Sequence, residues 1–129
     1  MIDHTGFSVS DYERAKAFYT QALAPLSYSL LREVPAGKTE RGFAAAGFGA
    51  AGKPDFWFAG EGKLAQPLHI AIVAKDRASV DAFYHAALAA GGRDNGPPGL
   101  RPQYHPNYYG AFVLDPDGHN IEAVCHAPA

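Results

Sequence analysis

Two stretches of the chain carry the same succession of apolar and polar positions. Residues 2–9 and 68–74 are short, partly β-branched apolar runs bounded by polar residues, which predicts strands. Each leads into an aspartate, Asp11 or Asp76, placed to cap a helix by accepting a backbone N–H. Behind the first, Ala15, Phe18, Tyr19, Ala22 and Leu23 recur at helical spacing; behind the second, Val80, Phe83, Tyr84, Ala87 and Leu88 do the same. Pro25 closes the first helix and Gly91-Gly92 the second. Three more strands are predicted after each helix, at 28–34, 42–48 and 55–59 and then at 92–94, 109–114 and 120–124. Asp115-Pro116-Asp117-Gly118 reads as a turn between the last two, which makes them antiparallel. The Phe-Tyr pairs of both helices read as core.

The repetition is literal. A shift of 65 residues superposes His4 on His69, Asp11 on Asp76, Ala17 on Ala82, Phe18-Tyr19 on Phe83-Tyr84, and Ala22-Leu23-Ala24 on Ala87-Leu88-Ala89. That is eight identities in 21 positions, where composition alone would give about two. The chain therefore reads as a duplicated βαβββ module, residues 1–65 and 66–129, within one domain. The fold class expected is α+β.

Strand alternation then assigns faces. Thr5, Phe7 and Val9 suit the helix side of the first strand, which turns His4, Gly6 and Ser8 the other way. In the copy, Ile70 and Ile72 suit the helix side, and His69, Ala71 and Val73 face away. The two histidines thus occupy matched positions on the helix-free faces, and edge-to-edge pairing of the modules would point both into one cavity. The same shift places Glu122 on Trp57. An inward carboxylate among Ile121, Ala123 and Val124 costs several kcal/mol unless paired or metal-bound. Each histidine alone reads more simply as a core or surface residue, and Glu122 alone as an exposed strand residue or a partner for Arg101. The duplication favours His4, His69 and Glu122 as three ligands of one divalent first-row metal, among Fe, Mn, Ni, Co and Zn.

With Ile2-Asp3-His4, Phe18-Tyr19, Leu23, His69, Phe83-Tyr84 and Asp115-Pro116-Asp117-Gly118-His119-Asn120-Ile121-Glu122, the whole chain resembles the vicinal oxygen chelate superfamily. That resemblance implies paired βαβββ modules forming a cupped, incomplete barrel, with metal ligands from first and last strands at His4, His69 and Glu122. It also implies a departure. Glyoxalase I-like members take a fourth ligand from the last strand of the first module, where this chain has Trp57, and Asp55 lies one two-residue step, about 7 Å, away. Three ligands are closer to the extradiol dioxygenase-like pattern.

The proline-stiffened segment 96–109 supplies the remaining candidates. Arg101 is placed to grip an anion, Tyr104 and Tyr108 to contact substrate, and Tyr104 or His105 to move a proton beside Glu122. The competing reading is a surface loop with its tyrosines packed on a sheet edge. Trp57 is expected to wall a pocket, Phe56 and Phe58 to pack in the core, and Arg41 to be solvated. His119 and His126 read as turn and tail residues, and Cys125 as packing on the face opposite Glu122. Composition narrows the classes further. A net charge of -2 without a basic block argues against a nucleic-acid partner. No run approaches a membrane span, and a single cysteine permits no intrachain disulfide, so the cytoplasm is the expected location. The expected function is a metal-dependent lyase, isomerase or dioxygenase acting on a small substrate that chelates through vicinal oxygens. Two alternatives stand beside it: a metal-free binding protein of the bleomycin-resistance type for an aromatic or peptide-like ligand, and a scaffold without activity. The expected assembly is a homodimer, whose ligands come from two chains if the modules pair across it.

Overall fold

Asp11 and Asp76 cap the two helices as the sequence predicts: the Asp11 carboxylate accepts from the Arg14 amide and Asp76 from the Ser79 amide, each cap being worth about 1 kcal/mol. The computed structural model describes residues 1–62 and 66–129; the expected module boundary at 65 lies outside the described residues. The first module runs β1 (Thr5–Ser8), α1 (Tyr12–Ala22), β2 (Ser29–Val34), β3 (Ala45–Ala50) and β4 (Lys53–Ala59). The second runs β5 (His69–Val73), α2 (Arg77–Ala89), β6 (Arg93–Asp94), β7 (Gly99–Leu100), β8 (Tyr109–Leu114) and β9 (Asn120–Cys125). Among the described residues no helix is long and apolar enough to cross a membrane.

Both modules form one kind of open sheet, ordered β1-β4-β3-β2 in the first and β5-β9-β8-β6 in the second, with β7 also pairing with β8. The duplication holds to single-residue register. Thr5 pairs with Phe56 and Gly6 with Trp57 across parallel β1 and β4; Ile70 pairs with Ile121 and Ala71 with Glu122 across parallel β5 and β9. Several predicted boundaries move; the first strand spans Thr5–Ser8 rather than 2–9, which leaves His4 before it. Strand β3 starts at Ala45 rather than 42, because Gly42 turns through φ +78°. Strand β4 starts at Lys53 rather than 55, because Ala51 and Gly52, both at positive φ, make a two-residue hairpin turn. The strand expected at 92–94 is one lane in two pieces, β6 and β7, with Pro97 and Pro98 between them unable to donate to the ladder.

The modules meet through their helices. Helix α1 packs on α2, and one buried cluster draws Phe7, Phe18, Tyr19, Phe48, Phe56 and Phe58 from the first half and Ile72, Val80, Phe83, Val113 and Ile121 from the second. Strands β1 and β5 are each the last strand of their sheet and form no ladder with one another. The two edges adjoin without a backbone ladder, and a groove lined by residues 2–5 and 69–73 lies between them.

The β8–β9 turn clasps the halves together. Asp115 is buried; one carboxylate oxygen accepts the Tyr19 hydroxyl at 2.6 Å and the other accepts the amides of Asp117 and His119 at 2.9 and 2.8 Å. Burial and the adjacent Asp115 carboxylate push the Tyr19 hydroxyl well above its usual pKa, so it remains a donor. Asp117 accepts the Ser10 amide at 2.9 Å and bonds the Ser10 hydroxyl. His119, expected as a simple turn residue, is only 2 % exposed and spans both modules. Its Nε2 donates to the Ser8 carbonyl at 2.9 Å, and its Nδ1 accepts the Leu68 amide at 3.1 Å. Asp115→Ala would strand a buried hydroxyl and two amides, so a loss of about 3–5 kcal/mol is expected in denaturant unfolding, against about 1–2 kcal/mol for Tyr19→Phe. Equal, small losses in both variants would show that the turn does not tie the halves together.

Candidate functional site

Strand alternation on β9 sends Ile121, Ala123 and Cys125 into the core and Glu122 to the helix-free face. There Glu122 is 1 % exposed, and two side chains satisfy its carboxylate. His69 Nε2 lies 2.8 Å from one oxygen, and the Tyr108 hydroxyl donates to the other. Gly110 makes room for this contact, since a Cβ there would sit 3.3 Å from the Tyr108 ring and 3.4 Å from Glu122 Oε1. Burial first, and the bond to Glu122 second, push the Tyr108 hydroxyl up to about 12. Tyr108 is thus a firm donor at neutral pH, and Glu122 is its acceptor. The His69 side chain is half exposed and is the open end of the network.

His4 does not join this network. It precedes β1, its Nδ1 bonds Asp3 at 2.7 Å, and its side chain is 60 % exposed. It lines the cavity of the first module and, together with His69, a groove between β1 and β5. Of the three expected ligands, then, the structure brings His69 and Glu122 into direct contact, while His4 shares a groove with His69 but bonds Asp3 instead.

The loop residues divide between structure and site. Arg101 turns back on its own loop, donating to the carbonyls of Gly99 and Pro97 at 2.8 Å each, with its guanidinium over the Phe112 ring. Tyr104 is largely exposed and packs edge-on to Tyr108 at 4.9 Å. His105 has both ring nitrogens engaged: Nδ1 accepts the Asn107 amide at 3.1 Å and Nε2 meets His126 Nδ1 at 2.8 Å. The tail residue His126 thereby stacks on the loop and against Tyr108, a contact with no signal in local sequence. Trp57 does line a cavity, Phe56 and Phe58 are core, and Cys125 is buried. Arg41 is exposed but ion-paired with Glu61, and Asp55 accepts the Tyr28 hydroxyl at 3.0 Å.

Asp115, Asp117 and His119 form a second group of metal-type donors, with ligand atoms within 4.8 Å of one another. Each of them already bonds within the clasp, however, and His119 in particular has no free nitrogen. Here the donor set serves the fold.

Comparison with known proteins places this geometry. The model of the Glyoxalase/Bleomycin resistance protein/Dioxygenase superfamily matches residues 1–123. No curated protein matches the chain. Among solved structures, a glyoxalase/bleomycin resistance protein from Albidiferax ferrireducens shares 24% identity at a TM-score of 0.76, covering 97% of this chain and 98% of that one. A glyoxalase/bleomycin resistance protein/dioxygenase family enzyme from Burkholderia phytofirmans shares 16% at 0.70, covering 98% of each chain. Glyoxalase I from Zea mays shares 20% at 0.73, and this chain, covered to 99%, spans 45% of it. These likenesses carry the fold.

The hydroxyls of Tyr108 and of Tyr28, the latter held up to about 12 chiefly by burial and then by Asp55, stay protonated where unfolded tyrosines, near 10, have already ionised. Between pH 10 and 12 the folded chain therefore binds more protons than the unfolded one, and stability falls as pH rises through that window. Spectrophotometric alkaline titration is expected to show late-ionising tyrosines, one of which disappears in Tyr108→Phe. A wild-type titration complete near pH 10 would contradict the Tyr108–Glu122 bond.

Proposed function

The chain belongs to the Glyoxalase/Bleomycin resistance protein/Dioxygenase superfamily, and from that premise we propose that it acts as a homodimer whose shared cup binds one divalent metal. The metal is held by His69 and Glu122 of one copy and His4 of the partner subunit, and it receives a small substrate through two vicinal oxygens. The observation that carries this reading is the His69–Glu122 contact. An imidazole nitrogen and a buried carboxylate oxygen lie 2.8 Å apart, close to the spacing of about 3 Å between neighbouring ligands on bonds of about 2.1 Å. Two features favour a ligand from a second copy. The His4 and His69 side chains are 60% and 53% exposed, and β1 and β5 each keep an unpaired edge on which Val73 is also exposed.

Bound there, the metal would polarise the chelated oxygens and stabilise an enolate or similar anion, or with iron or manganese take catechol-type oxygens together with dioxygen. The chain's own groups do the rest. Glu122 is oriented by Tyr108, whose hydroxyl, rather than Tyr104 or His105, is the proton donor in contact with it. Trp57, standing where a fourth ligand would come, leaves the site with three and favours the open-site chemistries over ordinary glyoxalase I activity. A second reading, metal-free binding of an aromatic or peptide-like ligand in the bleomycin-resistance manner, is favoured by the cavity of about 950 Å³ with Trp57 in its lining.

Metal analysis of untagged protein tests the two. Stoichiometric metal, lost in His4→Ala and in Glu122→Ala, is expected; no metal at any stage would leave only the binding reading. Mixing the two variants under subunit exchange then locates the ligands. If they come from two copies, heterodimers regain one intact site and about a quarter of the metal returns. If they come from one copy, none returns.

A further inference from the structure

The first module carries a surface of its own on the helix-free side. Strand register sets Gly6, Trp57, Gly47 and Arg32 side by side in one row across β1, β4, β3 and β2. A Cβ on Gly47 would fall 2.7 Å from Cε2 and Cζ2 of Trp57, so the indole lies flat over that glycine, along the row toward Arg32. Its Nε1 donates to the Pro54 carbonyl at 3.3 Å, which holds the ring in that orientation. The neighbouring row, Ser8, Ala59 and Ala45, consists of small residues. The floor of the cavity of about 950 Å³ is therefore one aromatic plate in a smooth, small-residue surround.

The charges around the plate are not equivalent. Arg41 is paired with Glu61, and Lys53 with Asp3. Glu33, next to Arg32 in sequence, is turned to the helix side, where Tyr12 and Lys16 hold it. Glu40 also lines the cavity, but Arg32 has no acidic partner among the described residues. We propose that this row is a binding site for a planar aromatic acid, with the ring stacked on Trp57 and the acid group on Arg32. Aromatic stacking requires an uncovered face, which the small neighbours supply, and an unpaired guanidinium supplies a charge-assisted contact for the acid. The assignment rests on the small-ligand reading of the cup and is independent of the metal.

Trp57 is the only tryptophan in the chain, so its emission reports on the site directly. The probes are nitrobenzoate, its neutral counterpart nitrobenzyl alcohol, and cyclohexanecarboxylate, followed by tryptophan emission and calorimetry with chelator and with added metal. Nitrobenzoate is expected to quench saturably, and the alcohol and the non-aromatic acid to bind at least ~10-fold more weakly. Arg32→Gln should weaken nitrobenzoate ~10-fold and leave the alcohol unchanged. Gly47→Ala, which displaces the indole, should alter the emission of the free protein and weaken both aromatic probes. Equal binding of all three probes, or nitrobenzoate binding indifferent to Arg32→Gln, overturns the proposal. Quenching that survives chelator and Glu122→Ala upholds it even where the metal reading fails; metal bound at His69 and Glu122 without any nitrobenzoate binding refutes it alone.

Discussion

Asp115 accepts three hydrogen bonds where the β8–β9 turn meets the first module, and they help to fix the position of β9. Its turn is closed from within by the amides of Asp117 and His119 and held from the other module by Tyr19 and Ser10. His119 extends the tie to the Ser8 carbonyl at the end of β1 and to the Leu68 amide at the entrance to β5. A buried carboxylate is stable only while the donors that satisfy both its oxygens stay in place. The geometry of β9, and with it the placing of Glu122 beside His69, thus depends on contacts more than one module away in sequence. The same commitment explains why three metal-type side chains so close together serve as a structural knot.

Duplication left the backbone alike and let the side chains diverge. Trp57 and Glu122 occupy the same register position on β4 and β9, each on the helix-free face beside a first strand. In one half that position became an aromatic plate over Gly47; in the other it became a buried acid paired with His69 and covered by Tyr108. In the proposed reading, one module would offer stacking and a guanidinium without an acidic partner among the described residues, and the other ligand atoms and a held proton, so that a site built from both halves would divide recognition and chemistry between them.

The loop before β8 supports that division more than it performs it. Arg101 spends its donors on its own loop carbonyls, and His105 is engaged by Asn107 and His126. These bonds, with the prolines, brace the segment that carries Tyr108 to Glu122. Rigidity here has a purpose, because a tyrosine that orients a buried carboxylate must itself be held.

Local pattern alone determined a great deal: the duplication, the two capped helices, the strand faces, the core roles of Phe56 and Phe58, and the inward turn of Glu122. All of these follow from periods of 2 and 3.6 residues and from the side-chain chemistry of caps and turns. The hairpin at Ala51-Gly52 escaped because alanine is a poor advertisement for positive φ. The larger matters were decided only by the tertiary structure. The modules pack helix to helix, and His4, though it shares a groove with His69, is bonded to Asp3 and does not reach Glu122; His119 bridges two modules from what reads as a plain turn; Tyr108, among several loop tyrosines, is the one that reaches Glu122. Each of these depends on how apolar faces far apart in sequence come to be buried against each other, and no periodicity within a strand or helix records that choice.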